Sequence, residues 1–126
     1  MNLEYLETAG NKTFKRYCKT MELRNDESLI EAYKKAHAKG QAWPEITNGM
    51  REVGILDMEI YITGTRLFMI MDTVSDFDHE KAMASLASKP RQSEWETYMS
   101  KYQNSSVDSA AGEKWQLIER IYKMGE

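Results

Sequence analysis

The chain has 126 residues, of which 41% are hydrophobic and 29% are charged, a composition typical of one globular domain. Its net charge of −3, with both signs mixed along the sequence, argues against a nucleic-acid-binding protein, which would carry a basic stripe. The sequence has no secretory signal and no apolar run long enough to span a membrane, and its single cysteine, Cys18, suits a reducing compartment, so we expect a cytoplasmic protein.

The N-terminal part of the sequence predicts an arm, a strand and a helix. We expect residues 1–12 to form a loose arm before a single domain over residues 13–126. Residues 13–23 mix apolar and polar side chains at short period, which is typical of a strand. A polar turn at residues 25–28 offers helix caps, and apolar residues then recur at helical spacing until Gly40.

The middle of the sequence predicts a second helix followed by a hairpin. Pro44 suits the first turn of a helix, which continues to Gly54. Residues 55–63 predict the next strand, and residues 67–71 are a continuous apolar run typical of a buried strand. The short turn between these two strands makes them a β-hairpin.

The C-terminal part of the sequence predicts two helices, a polar loop and a last strand. The first helix begins at residues 76–78 and is broken by Pro90. The second helix carries Trp95, Tyr98, Met99 and Tyr102. A polar loop over residues 104–112 then leads to a final strand over residues 115–122.

The resulting order of elements is β-α-β-β-α-β, with each helical section split in two. This order is the ferredoxin-like pattern, an α+β fold in which helices lie on one face of an antiparallel sheet. Because the helices cover only one face, the apolar strand over residues 67–71 indicates that a second copy covers the other. We therefore expect a homodimer of the dimeric α/β barrel type.

Proton transfer is the chemistry that the side chains support best. The sequence has no glycine-rich phosphate loop, no nucleophile elbow and no metal-site spacing of its histidines. Tyr33 and His37 lie four residues apart, so they share one face of a helix, and an imidazole beside a phenol can handle protons near neutral pH. Packing is the competing interpretation of this pair. His79 follows Asp78 at a helix start and is predicted to be a solvated surface residue.

Aromatic and acidic side chains supply candidates for binding a polar substrate. Trp43, Trp95 and Tyr98 lie on helices or at their ends, where flat rings could stack on a sugar or simply anchor the core. Asp57 and Glu59 share one face of a strand, either as a solvated edge or as a cluster that binds hydroxyl groups. These carboxylates, together with Tyr33, Tyr61 and Tyr98, are possible partners of His37.

Several short motifs, taken in order, resemble those of the L-rhamnose mutarotases, small dimeric enzymes of ferredoxin-like α/β fold. The motifs are Tyr33-x3-His37, Trp43-Pro44-Glu45, Asp57-Met-Glu-Ile-Tyr61, Leu67-Phe68, Trp95-x2-Tyr98-Met99 and a polar loop before the last strand. The resemblance extends over about residues 17–122, which is nearly the whole predicted domain.

The resemblance implies an enzyme that interconverts the α and β anomers of L-rhamnose without a cofactor or a metal. His37 falls on the family's catalytic histidine, the proton donor to the pyranose ring oxygen, and Tyr33 falls on a tyrosine one turn earlier. Trp95 falls on one of two adjacent tryptophans that face the sugar, but the second is missing here. The family's active-site tyrosine in the second strand aligns with Met58. L-Rhamnose is therefore the first expected substrate among the 6-deoxy-L-sugars, and these departures make a divergent branch that acts on L-fucose or another 6-deoxy sugar the alternative.

The predicted site therefore combines catalytic and substrate-binding side chains around a monosaccharide. The catalytic residues are His37 and Tyr33, and the substrate-binding residues are Trp95, Asp57, Glu59, Tyr61, Tyr98 and Trp43. Two other functions remain open. One is a ferredoxin-like ligand-binding or regulatory domain without catalysis, in which His37 is structural. The other is a cofactor-independent oxygenase or lyase of the dimeric α+β barrel type, whose site would be more apolar than one edged by acidic residues.

Overall fold

The chain forms one antiparallel sheet whose strands are separated in sequence by pairs of helices. The structure is a computed structural model that describes residues 2–103 and 114–125, so the predicted polar loop over residues 104–112 lies outside the described residues. In chain order the elements are β1 (Tyr5–Ala9), β2 (Lys12–Glu22), α1 (Glu27–Ala36), α2 (Pro44–Glu52), β3 (Ile55–Thr63), β4 (Arg66–Val74), α3 (His79–Ala87), α4 (Gln92–Ser100) and β5 (Gln116–Leu117). No helix in the described ranges is long and apolar enough to cross a membrane.

The strand order confirms the predicted ferredoxin-like α+β fold. Strands β2, β4 and β3 lie side by side, and β5 pairs with the other edge of β2, so the order is β5-β2-β4-β3. Two helices precede β3 and two more follow β4, which is the βαββαβ arrangement. The predicted hairpin of β3 and β4 turns at Gly64, whose left-handed φ of 57° costs a glycine little.

The predicted N-terminal arm contains a strand and is not loose. Tyr5–Ala9 pairs antiparallel with the first half of β2, from Tyr5 opposite Arg16 to Ala9 opposite Lys12. Gly10 takes a left-handed φ of 63°, which lets the chain reverse within two residues. A Gly-Asn pair between two short strand-forming runs is a hairpin signal, and it marks this turn in the sequence.

The predicted final strand over residues 115–122 is wrong in its length, because only Gln116–Leu117 pairs with the sheet. The strand β1 occupies the same edge of β2 up to Arg16, so β5 can pair only beyond it, at Lys19 and Thr20, with one further hydrogen bond from the Ile118 N–H to the Cys18 carbonyl oxygen at 2.9 Å. Beyond β5 the chain leaves the sheet, and Ile121 is 92% exposed.

Alternation along the strands gives the sheet a covered face and an open face. Tyr17 and Met21 of β2 point toward the helices with Leu67 and Met71 of β4, in two neighbouring core clusters. The larger cluster consists of Met21, Leu23, Tyr33, Ile46, Leu67, Trp95, Met99 and Tyr102. The open face carries the alternate side chains of β3 and β4, which are Glu59, Tyr61, Phe68, Ile70 and Asp72.

Candidate active site

A cavity of about 430 Å³ lies between the covered face of the sheet and the helices. This volume is within the usual range for small-molecule sites, roughly 300–1,000 Å³. The cavity wall is rich in methionine side chains, which are Met50, Met58, Met69, Met71, Met83 and Met99. Polar side chains interrupt this apolar wall, among them His37, Gln92 and Gln103, and each of them is a candidate for orienting a ligand.

His37 lies at the cavity because helix α1 ends one residue before it. The helix was predicted to continue to Gly40, but its last residue is Ala36 and His37 is its C-cap. The His37 Nδ1 atom lies 2.9 Å from the Tyr33 carbonyl oxygen. A carbonyl oxygen only accepts hydrogen bonds, so Nδ1 carries a proton and donates it, which leaves Nε2 available to a ligand.

The electrostatic setting of His37 favours the neutral imidazole. Burial lowers the pKa of His37 below its usual value, because removal from water disfavours the charged ring, and the hydrogen bond to the Tyr33 carbonyl opposes this only in part. At neutral pH the Nε2 atom therefore holds a lone pair that can accept a proton. This arrangement suits a general base in the resting site.

Tyr33 contacts His37 through its ring and its backbone. The two ring centroids are 4.3 Å apart with planes tilted by 32°, and the Tyr33 side chain is 4% exposed. Burial raises the pKa of the Tyr33 hydroxyl far above its usual value, so the phenol keeps its proton. These contacts position the imidazole. The Tyr33 hydroxyl and the His37 ring are not hydrogen-bonded to each other.

The three predicted aromatic ligands form one cluster, but they do not all face the cavity. Trp95 lines the cavity and meets His37 edge to face, with centroids 5.4 Å apart. Trp43 packs against Trp95 at 5.1 Å and stacks on Tyr98 at 5.8 Å. Trp43 and Tyr98 line a separate groove beside Ala36 instead. Trp43 and Tyr98 therefore support Trp95 from outside the cavity.

The acidic strand residues are distributed between the cavity rim and the open face. Asp57 lines the rim, next to an irregularity in the pairing of β3 with β4. Glu59 and Tyr61 lie on the open face, where the Tyr61 hydroxyl donates to Glu59 Oε2 at 2.5 Å. The structure does not bring this pair to His37. Met58, for which the resemblance implied a tyrosine in the family, lines the cavity.

Sequence reasoning missed four polar side chains that are buried at the cavity. Lys19 is only 2% exposed, and Lys114 donates from Nζ to Ser100 Oγ at 2.6 Å. The side-chain carbonyl oxygens of Gln92 and Gln103 are buried without a hydrogen-bond partner among the described residues. The sequence signal for Lys19 was its place in the inward-facing series of β2, between Tyr17 and Met21.

His79 is not the solvated surface residue that the sequence predicted. Its ring packs 5.1 Å from that of Tyr17, and its Nε2 atom is buried. Burial and the nearby Lys19 charge lower the pKa of His79 to about 4. His79 lies outside the cavity-lining set, so His37 is the cavity's imidazole within the described part of the chain.

Comparison with known proteins gives three consistent results. Residues 16–124 match a protein family described as L-rhamnose mutarotase. A protein named L-fucose mutarotase from Xanthomonas campestris pv. campestris is 34% identical over 114 residues, which cover 90% of this chain and 91% of the relative. A UPF0734 protein from Dictyostelium discoideum is 32% identical over 115 residues, covering 88% of this chain and 90% of the relative.

A solved structure supports the fold independently of these sequence matches. The crystal structure of an L-rhamnose mutarotase from Formosa agariphila superposes with a TM-score of 0.63. The alignment covers 86% of this chain and 97% of that chain at 20% sequence identity. At this identity the superposition bears on the fold alone, and it agrees with the strand order described above.

Proposed function

The chain belongs to the L-rhamnose mutarotase family and is a sugar mutarotase, and we propose that it interconverts the α and β anomers of a 6-deoxy-L-sugar in the cavity beside His37. The observation that carries this assignment of the site is the His37 ring, held through Nδ1 by the Tyr33 carbonyl at 2.9 Å with Nε2 left for a ligand. The family membership makes the protein an isomerase that acts on carbohydrates. This membership favours an enzyme over a ligand-binding or regulatory domain without catalysis.

The reaction requires two proton transfers and no change of the carbon skeleton. The pyranose ring opens when the ring oxygen gains a proton and the anomeric hydroxyl loses one, which gives an open-chain aldehyde. Rotation about the C1–C2 bond and closure on the other face of the carbonyl then return the protons. Each well-placed acid–base group contributes about 10²–10⁴-fold to the rate. We assign one of these groups to His37.

The cavity surface is suited to a sugar with one apolar end. The thioether side chains of Met58, Met69 and Met71 offer an apolar wall for the methyl group of a 6-deoxy sugar. The buried carbonyl oxygens of Gln92 and Gln103 can accept hydrogen bonds from ring hydroxyls. Trp95 supplies an aromatic surface next to His37. A fully hydroxylated hexose would instead place a C6 hydroxyl against an apolar wall.

L-Rhamnose and L-fucose are the two candidate substrates within this class. L-Rhamnose follows from the family, whereas the named activity of the Xanthomonas relative supports L-fucose. Met58 lines the cavity at the position where the resemblance implied a tyrosine in the family, and the loss of such a hydroxyl also supports the second candidate. Met58→Tyr restores that hydroxyl, so we expect it to raise the rate for L-rhamnose relative to that for L-fucose.

Exchange NMR on a panel of sugars tests the proposed substrate class. L-Rhamnose, L-fucose, L-galactose and D-glucose would each be mixed with catalytic amounts of protein, and magnetisation transfer between the anomeric protons would be measured. The proposal expects acceleration for one or both 6-deoxy-L-sugars and much less for the other two. Equal acceleration of L-galactose, which differs from L-fucose only by the C6 hydroxyl, would contradict the assignment of the methionine wall.

We also infer a homodimer in which two copies pack through the open face. Tyr61 and Phe68 pair across β3 and β4 on this face and are 56% and 38% exposed. An exposed aromatic pair on a sheet marks an interaction surface, and the chain's own helices cannot cover it because they lie on the other face. The bidentate pair of Arg16 with Asp72, at 2.8 and 3.0 Å, lies four residues farther along β4 and would form a polar rim.

The cytoplasmic location stays a prediction. It is supported by the single cysteine, Cys18, which is unpaired in the structure and suits a reducing compartment. Fractionation of cells against cytoplasmic and exported marker proteins would test it.

A further inference from the structure

Glu96 is a carboxylate in the cavity wall to which the proposed reaction assigns no role. It follows Trp95 on α4 and is half-buried. The residues of this segment that line the cavity recur at intervals of three and four, and they are Gln92, Trp95, Glu96, Met99 and, beyond the helix end, Gln103. One face of α4 therefore presents polar and apolar side chains to the same cavity.

Gln92 orients this carboxylate and leaves acceptor oxygens for a ligand. The Gln92 amide nitrogen donates to Glu96 Oε1 at 3.4 Å, one helical turn along. This hydrogen bond sets the direction of the Gln92 amide, whose carbonyl oxygen is buried without a partner among the described residues. A buried acceptor destabilises a protein unless something supplies it with a donor. The pair therefore offers two oxygens to a bound molecule, Oε1 of Gln92 and Oε2 of Glu96.

Two cations lie on either side of Glu96 along α4, and both are engaged by other groups. Arg91, at the N-cap of the helix, pairs with Glu94 at 3.4 Å. Lys114 donates to the Ser100 hydroxyl at 2.6 Å, and that hydroxyl donates in turn to the backbone carbonyl oxygen of Glu96 at 2.8 Å. The side-chain carboxylate therefore keeps its capacity to accept from a ligand. A hydroxyl donates more strongly to a carboxylate than to a neutral acceptor, which suits the binding of a sugar.

The acceptor pair lies next to the aromatic ring that contacts His37. Gln92 and Glu96 flank Trp95 on the same face of α4, and the Trp95 ring meets His37 edge to face at 5.4 Å. The proposed chemistry takes place at O5 and the anomeric hydroxyl. C3 is the ring carbon opposite O5, and its hydroxyl is equatorial in both L-rhamnose and L-fucose, whereas the hydroxyls on C2 and C4 differ between the two sugars. The C3 hydroxyl is therefore the anchor that a site for either sugar can share.

We propose that Glu96 is a sugar-binding residue that accepts a hydrogen bond from the C3 hydroxyl, an inference that rests on the proposed function. Gln92 holds the carboxylate and accepts from a neighbouring hydroxyl on C2 or C4. Each of the two candidate sugars carries such a vicinal pair, and the two acceptor oxygens lie one helical turn apart on one wall. Glu96 takes no part in the proton transfers. It binds the ground state and the transition state alike, so its loss should raise KM and leave kcat nearly unchanged.

The first test changes the carboxylate. Glu96→Leu removes both oxygens, Glu96→Gln keeps one acceptor and the shape, and Glu94→Gln is the matched control at an exposed carboxylate of the same helix. Exchange NMR over a range of concentrations of the accelerated sugar gives KM and kcat separately. We expect Glu96→Leu to raise KM about 10-fold or more, Glu96→Gln to lie between it and the wild type, and Glu94→Gln to match the wild type, with kcat within about 3-fold throughout. Wild-type KM values in folded Glu96→Leu and Glu96→Gln proteins would overturn the proposal.

The second test removes the hydroxyl from the sugar. The 3-deoxy analogue of the accelerated sugar should show a KM about 10-fold or more higher with the wild type, a result that requires no variant to fold. Glu96→Leu should raise the KM of this analogue little further, because its hydrogen-bond partner is already absent. An unchanged KM of the analogue with the wild type, or an equal effect of Glu96→Leu on the sugar and its analogue, refutes the contact with C3. A wild-type protein that accelerates neither L-rhamnose nor L-fucose refutes the proposed function itself.

Discussion

Replacement of His37 by asparagine should separate catalysis from stability. The variant removes the lone pair at Nε2 but retains a side-chain amide that can donate to the Tyr33 carbonyl, as Nδ1 does at 2.9 Å. Removal of one acid–base group costs about 10²–10⁴ in rate, or about 2.7–5.4 kcal/mol of transition-state stabilisation. The hydrogen bond at stake contributes only about 0.5–1.5 kcal/mol to folding.

The assay is magnetisation transfer between the anomeric protons of L-rhamnose and L-fucose, with a urea titration of the same samples. His79→Asn is the matched control, because it makes the same change at a histidine outside the cavity-lining set. We expect His37→Asn to lose at least about 100-fold in exchange rate while its urea midpoint shifts little, and His79→Asn to keep most of the exchange. Undiminished exchange in a folded His37→Asn protein would refute the assignment of His37.

Three further predictions concern the aromatic cluster, the dimer and the pH dependence of folding. Trp95 is 8% exposed and packs on both His37 and Trp43. Trp95→Ala should therefore lower the free energy of unfolding by about 3–5 kcal/mol and also weaken sugar binding. A urea midpoint equal to that of the wild type would contradict this. Phe68→Asp places a charge in the exposed aromatic pair of the open face and should convert a dimer into a folded monomer. Light scattering that gives the same mass for the wild type and the variant would count against the interface. The pKa of His79 falls from 6.5 to about 4 on folding, so the unfolded chain binds the proton more tightly. The free energy of unfolding should therefore decrease as the pH falls from about 6.5 toward 4. His79→Asn should reduce this pH dependence, and equal slopes in both proteins would refute the assignment to His79.

The central hairpin and the ferredoxin-like order could be predicted because apolar periodicity determines them. Strand β3 begins and ends where its pattern predicted, at Ile55 and Thr63, since glycines border the apolar run on both sides. The error at the C-terminus has a non-local cause. The final strand is short because β1 already pairs with the same edge of β2, and competition between two segments for one edge is invisible in either segment alone.

The part of the candidate site that lies on one helix could be predicted from the sequence. The part on the strands could be predicted less well, because the face of the sheet on which each side chain lies depends on strand pairing. Tyr33 and His37 lie together because their spacing of one turn fixes their common face. Glu59 and Tyr61 were grouped with them by sequence motif alone, and the register with β4 points both to the open face. Lys19 was overlooked because a lysine suggests a solvated face, although its alternation with Tyr17 and Met21 indicated the interior.

The most direct test of the central claim is the mutarotation rate of freshly dissolved crystalline L-rhamnose and L-fucose, followed by optical rotation with and without the wild-type protein at pH 7. As a sugar mutarotase, the protein should bring at least one of the two sugars to its final rotation faster in proportion to the enzyme concentration, without changing the final value. Relaxation at the buffer rate for both sugars, at all protein concentrations, would contradict the assignment of this cavity to a 6-deoxy-L-sugar.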